Sequence, residues 1–291
     1  MYPSRFRYEA PRTLDQAIDL LHRGAGEAKV LAGGQSLIPL LKLRFAAPDM
    51  LVDINGLPGL DYHRLDPDGT IRVGALCRHV SLERSSLLAE KQPTMAAAAP
   101  LIADPIVRNR GTLVGSLCHA DPQGDWASVV TALGGHVVAA GPRGRRSIPI
   151  GDFVTGPFQT VLDVDEVAVE AVVPAPTGTP AGGYLKLERR VGDFATAGVA
   201  VAVELSGDTV TRAGIGLTGV GGSTISATEA AAALVGATLT AASIDSAADL
   251  AAAAAQPRTD HRGSAAYKRQ VVRTFVVRIL SRVVDAQERA A

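Results

Sequence analysis

The spacing of apolar residues divides the chain into short strands and helices well before any chemistry is considered. Phe6 to Tyr8 suits a short strand. Thr13-Leu-Asp-Gln16 has the form of a capping box, opening a helix through Ala17, Ile18, Leu20 and Leu21 that Gly24 ends. Lys29-Val30-Leu31-Ala32 is an apolar strand running into Gly33-Gly34-Gln35-Ser36, where Ser36 is placed to cap a helix over Leu37, Ile38, Leu40 and Leu41. Pro39 falls in the first turn of that helix, where proline is tolerated. Met50 to Ile54 is a buried strand ending at the Asn55-Gly56 turn, and Thr70 to Gly74 alternates as another. Thr94 to Ala103 and Trp126 to Leu133 favour helix, and His136 to Ala140 favours strand. The turn Pro142-Arg-Gly-Arg-Arg146 reads as a solvated hairpin tip.

The pattern breaks at Val173-Pro-Ala-Pro-Thr-Gly-Thr-Pro-Ala-Gly-Gly183, a stretch without apolar periodicity that reads as a linker or surface connection. A second domain is expected to begin near Tyr184. Val199 to Leu205 alternates as a strand, Ser206-Gly-Asp208 suits a hairpin, and Ile215 to Leu217 supplies the next strand. Helices over Thr228 to Val235, Ile244 to Ala255 and Ser264 to Ala286 complete it, the last with an apolar stripe at Val272, Phe275, Val276 and Ile279. No internal repeat is visible. The expectation is an α+β protein in two domains, residues 1–176 and 184–288.

Composition narrows the function. Of the 291 residues 47% are hydrophobic and 20% charged, enough for two folded cores. Basic and acidic residues number 29 each, so net charge gives no reason to expect nucleic acid or a membrane surface as partner. No apolar run approaches the ~18 residues of a membrane span, and the first residues lack a signal-peptide core, which points to the cytoplasm. Cys77 and Cys118 are the sole cysteines, too few for an iron–sulfur cluster held by four thiolates. The six histidines show no metal-binding spacing and read as surface or structural residues.

The candidate chemistry lies in two glycine turns. Gly33 and Gly34 can adopt positive φ and lack a Cβ, so main-chain amides there can approach a diphosphate closely. The second turn, Gly111-Thr112-Leu113-Val114-Gly115-Ser116, precedes His119-Ala-Asp-Pro-Gln-Gly-Asp125, and two such turns closing on one ligand suggest a dinucleotide. Two other motifs are decoys. Gly214-Ile-Gly-Leu-Thr-Gly219 satisfies a Rossmann fingerprint, but no helix follows it and no acidic residue ends a second parallel strand, so it reads as a closely packed strand and turn. Gly34-Gln-Ser36 lacks the second glycine of a nucleophile elbow.

Three motifs in order carry a family resemblance: Ala32 to Arg44; Arg108 to Ser116 with Ala120-Asp-Pro-Gln-Gly-Asp125; and Tyr184 to Ala195. Across nearly its whole length the chain resembles the FAD-binding medium subunits of molybdenum hydroxylases, the family of xanthine dehydrogenase and aerobic carbon monoxide dehydrogenase. The resemblance implies a two-part PCMH-type FAD-binding domain followed by a C-terminal domain of the CO dehydrogenase flavoprotein type. It also implies non-covalent FAD, wrapped by Lys29, Val30, Leu31, Ala32, Gly33, Gly34, Gln35 and Ser36 and closed over by Thr112, Leu113, Val114, Gly115 and Ser116. Ile102 falls at an apolar contact to the cofactor, Asp125 at an acidic residue that binds cofactor hydroxyls, and Lys186 near a lysine that approaches the flavin ring. A positive charge there would stabilise the anionic reduced ring. Tyr184 is placed to flank the ring. The rival readings are a helix N-cap for Asp125 and a solvent-facing strand lysine for Lys186.

The implied function is electron transfer within a heterotrimer, assembled as a dimer of heterotrimers. A large subunit would hold molybdopterin, a small subunit two [2Fe–2S] clusters, and an external quinone, NAD or oxygen would receive the electrons. No catalytic base and no metal site is expected on this chain. Val114 and Ser116 depart from the Gly-Gly-Asn common in the family's second loop, and Gln35 replaces a histidine frequent in carbon monoxide dehydrogenases, which argues against carbon monoxide as substrate. The insertion that holds a four-iron cluster in some relatives is absent. Two other readings remain at this point: a stand-alone flavin oxidase, and a binding subunit that has lost its flavin.

Overall fold

In the computed structural model, which describes residues 2–290, three larger sheets follow one another along the chain, together with a two-stranded ribbon of Val154–Gly156 and Gln159–Thr160. The first is parallel. Strand Met50–Asp53 lies between Arg7–Glu9 and Ala28–Leu31, and helix Leu14–Gly24 covers one face with Ala17, Ile18 and Leu21. Thr13 Oγ1 accepts from Gln16 N, but the Gln16 side chain accepts from Arg12 N rather than Thr13 N, so the capping box forms by half. Gly24 is the last helical residue, and the left-handed turn falls on Ala25 at φ 46°.

The second sheet is antiparallel, in the order His63–Leu65, Ile71–Gly74, Val167–Val173, His136–Gly141, Gly144–Pro149. Val167–Val173 is central and buried along its length, which is why its apolar run is nearly continuous. The helix expected from Thr94 ends at Ala98, passes through one 3₁₀ turn over Ala99–Leu101, and is closed off by Ala103 at φ 46°. At the arginine hairpin, Arg146 is not simply solvated: its guanidinium donates to both Glu166 carboxylate oxygens, at 2.8 and 2.7 Å.

The third sheet runs Thr179–Leu187, Ala197–Ser206, Thr209–Thr218, Ile225–Ser226, all antiparallel. Its first strand begins at Thr179, inside the stretch expected to be a connection. Pro180 and the glycines carry no apolar pattern, yet Thr179 through Leu187 pair in continuous register with Leu205 through Ala197. Helix Ala265–Ala290 packs on this sheet through Val272, Val276 and Ile279, and helix Ala241–Ala254 packs against that helix with Ala247 and Ala251 in the same core.

Helix Asp125–Ala132 joins the second and third sheets. Trp126 in its first turn is fully buried, and burying about 200 Å² of indole stabilises the fold by roughly 5 kcal/mol. On the third sheet, a Cβ on Gly216 would stand 2.7 Å from the Ser128 carbonyl carbon, and one on Gly214 would be 2.8 Å from that of Ala132. The Rossmann-like glycines are thus spacing for a helix lying directly on a strand. No helix among the described residues is long and apolar enough to cross a membrane.

Candidate cofactor-binding site

The two glycine turns meet. Gly33 packs against the second turn so closely that a Cβ on it would collide with the Arg110 carbonyl oxygen and stand 2.8 Å from Gly111 Cα. Its φ is not in the left-handed region, so contact rather than conformation requires glycine there; only Gly34, at φ 73°, needs the conformational freedom. The amides of Gly33, Gly34, Gln35 and Ser36 have no hydrogen-bond partner among the described residues, nor does that of Val114. Unpaired main-chain donors are rare in folded proteins unless a ligand or water takes them. Here they border one cavity of about 650 Å³, within the range of cofactor sites.

All three sheets contribute to that cavity. The first supplies Lys29 and Val30 from a strand and Ala32 to Ser36 from its turn; the second supplies Ile102, Thr112 and Val114 to Ser116; the third supplies Lys186. Of the expected positions, Leu31 and Leu113 do not line the cavity, and Leu113 is fully buried in the core. Ser36 makes no side-chain cap, because its backbone is already helical at φ −103° and ψ −46°, and the seven-residue helix Leu37–Leu43 begins uncapped. Thr112 does cap: its Oγ1 accepts from Gly115 N at 3.1 Å and so takes that amide out of play. Val114 is a buried core residue, so its side chain leaves the turn open.

The polar residues are arranged differently from the expectation. Asp125 is the first residue of its helix, not the cap, and both its carboxylate oxygens are engaged within the chain. Tyr184 Oη donates to Oδ1 at 2.5 Å and Lys186 Nζ to Oδ2 at 3.1 Å. Burial pushes the Asp125 carboxyl up from its ordinary value, partly offset by the Lys186 charge and the Tyr184 hydroxyl. Lys186 does not face solvent: only 2% of its side chain is exposed, its Nζ also donates to the Leu101 carbonyl at 3.0 Å, and Glu188 lies 3.4 Å away. Its charge therefore sits between two carboxylates. Tyr184 is 3% exposed, bonded to Asp125 and away from the cavity, which removes it as a ring-flanking residue. The residue from this region that does reach the cavity is Phe194, half exposed, in the turn Gly192–Phe194.

His79 was not legible as a site residue. It is 4% exposed, lines the cavity, and its Nδ1 accepts from the buried Trp126 indole N–H at 3.1 Å. Burial, reinforced by Arg108 and Arg78, lowers its pKa to about 4, so the ring is neutral and its proton is on Nε2. Its own amide donates to the Gly111 carbonyl, pinning the second turn. One signal was present in the sequence: His79 follows the strand Ile71–Gly74 at a strand-to-helix junction, the kind of place where α/β sites form.

Comparison with known proteins decides the family. Residues 4–176 match the model of the FAD binding domain in molybdopterin dehydrogenase, and residues 183–283 match the CO dehydrogenase flavoprotein C-terminal domain. This chain belongs to the FAD-binding medium subunits of the molybdenum hydroxylases. It is 41% identical to the carbon monoxide dehydrogenase medium chain of Hydrogenophaga pseudoflava, over 97% of this chain and 98% of that one. It is 38% identical to the 6-hydroxypseudooxynicotine dehydrogenase complex subunit alpha of Paenarthrobacter nicotinovorans, over 98% and 96%. In three dimensions it superposes with a TM-score of 0.92 at 42% identity on carbon monoxide dehydrogenase from Hydrogenophaga pseudoflava lacking the Mo-pyranopterin moiety, covering 97% of this chain and 98% of that chain. The family's cofactor for this subunit is FAD, and the family is one of oxidoreductases. The site fits that cofactor: unpaired amides on two turns, with room between them, are the donor set a diphosphate requires.

Proposed function

We propose that this chain is the electron-transfer subunit of a molybdenum-containing hydroxylase. It would bind FAD without a covalent bond in a unit spanning residues 1–176, with Lys186 and Phe194 of a C-terminal unit spanning 184–288 bordering the same cavity. The observation that carries the reading is the row of unpaired amides from Gly33 to Ser36 facing the second turn across one cavity. These amides and Val114 N would hold the diphosphate, while Ile102 and Phe194 supply apolar surface. When bound, the flavin would supply the redox chemistry that links one-electron iron–sulfur donors to a two-electron acceptor. The protein's part is to bind, place and shield: His79 stays neutral and keeps the second turn in place. The Asp125–Lys186–Glu188 cluster keeps its charges paired within the wall.

A large molybdopterin-binding subunit and a small [2Fe–2S] subunit would complete a cytoplasmic heterotrimer, paired as a dimer of heterotrimers. Neither the stand-alone oxidase nor the flavin-free reading gains support from a particular contact here. The test is purification from the native host under mild conditions. The reading expects flavin absorption bands, molybdenum and iron by elemental analysis, two co-purifying chains, and hydroxylase activity from the complex alone. A colourless chain that takes up no added FAD and travels alone would refute it.

A further inference from the structure

The glycine turns are joined by hydrogen bonds through two side chains that do not line the cavity. Asn55, just after strand Met50–Asp53, donates from Nδ2 to the Ala32 carbonyl at 2.8 Å, holding the start of the first turn. Its Oδ1 accepts from Arg78 Nη2 at 2.5 Å. Arg78 Nη1 donates to the Arg110 carbonyl at 2.6 Å, the same atom that Gly33 abuts. Asp53 fixes Asn55 in turn: its Oδ1 accepts from Asn55 N at 2.9 Å and from Nδ2 at 2.6 Å, and its Oδ2 accepts from the Tyr8 hydroxyl at 2.5 Å. One planar guanidinium therefore spans the seam between the first sheet and the second.

We propose that Arg78, seated on Asn55, is a positioning residue that sets the separation of the two glycine turns before FAD binds. The inference rests on the FAD reading above. Turns already held at the right spacing need not be ordered by the ligand, and that saving appears as affinity. The fork geometry matters because both nitrogens are used at once, one on Asn55 beside the first turn and one on the Arg110 carbonyl that leads into the second; a lysine ammonium keeps the charge but not the fork.

The experiment titrates flavin-free full-length chain with FAD, following flavin fluorescence, for wild type, Arg78→Met, Arg78→Lys, Asn55→Ala and the Asn55→Ala/Arg78→Met double variant. Arg78→Met and Asn55→Ala are each expected to weaken binding about tenfold or more, and the double no further than the weaker single, because each breaks the same link. Arg78→Lys is expected to stay near Arg78→Met. Recovery of affinity by lysine would show that charge near a diphosphate was all that mattered, and would overturn the proposal; so would additive losses. If Arg78→Met fails to fold, Arg78→Lys and Asn55→Ala carry the same test. Amide hydrogen exchange in the flavin-free protein adds a readout that a general loss of stability does not produce: faster exchange at the hydrogen-bonded amides flanking the two turns, those of Ile38, Ile54 and Gly111, with the Ala247 and Val276 regions unchanged. Should wild type itself bind no FAD, the functional reading fails instead. Unchanged exchange at these amides in the variants would then sink the link independently.

Discussion

Replacing Gly33 with alanine should weaken FAD binding by roughly 10- to 100-fold while the chain still folds. The added Cβ would meet main-chain atoms, which cannot rotate away: the Arg110 carbonyl oxygen, Gly111 Cα at 2.8 Å and the Arg110 carbonyl carbon at 3.0 Å. Carbon atoms rest about 3.5–4.0 Å apart, so the two turns must separate by about 1 Å. Hydrogen bonds to a charged group contribute about 1.5–3 kcal/mol each, and stretching one of them by that much forfeits most of it. At about 1.4 kcal/mol per tenfold, the stated range follows. Overpacking adds about 1–3 kcal/mol against folding, visible as a lower melting temperature. The assay is FAD titration of the flavin-free chain, with Gly56→Ala as control, since a Cβ on Gly56 meets nothing within 4 Å. Affinity of Gly33→Ala within about twofold of wild type, or an equal loss in Gly56→Ala, would refute the reasoning.

Two further outcomes test the buried charges. His79 titrates at about 4 when folded against 6.5 for the free side chain, so the folded chain binds fewer protons and this contribution is fully present above pH 6.5 and lost as pH falls toward 4. The amount is on the order of 3 kcal/mol; urea midpoints at neutral and acid pH should fall further for wild type than for His79→Gln, and an equal fall would contradict it. Lys186→Met leaves Asp125 and Glu188 facing each other without the cation between them and should cost about 3–5 kcal/mol in urea unfolding. Adding Asp125→Asn should restore part of this, and no recovery would mean that packing rather than charge was lost.

Local physics made much of this molecule readable in advance. The strands around Leu51, Val73, Val137, Val201 and Leu217 follow from apolar periodicity and stand where it places them. The close-packing role of Gly214 and Gly216 followed from the failure of the surrounding motif, and the helix lying on them explains it. Thr179 to Gly183 misled because proline and glycine signal a break locally, whereas a long neighbouring strand can impose register on them. Ser36 misled because a residue suited to capping still needs extended backbone to do so.

By itself the order of residues determined the family resemblance, the two glycine turns and the exclusion of a four-thiolate cluster, since each depends on which residues stand near one another along the chain. Tertiary structure alone decided that Gly33 is glycine because another turn lies against it, that Lys186 is neutralised inside the wall, that Tyr184 is withdrawn from the cavity, and that His79 enters it. Those facts are distances between segments far apart in sequence, and spacing along one segment carries no information about what the fold brings to meet it.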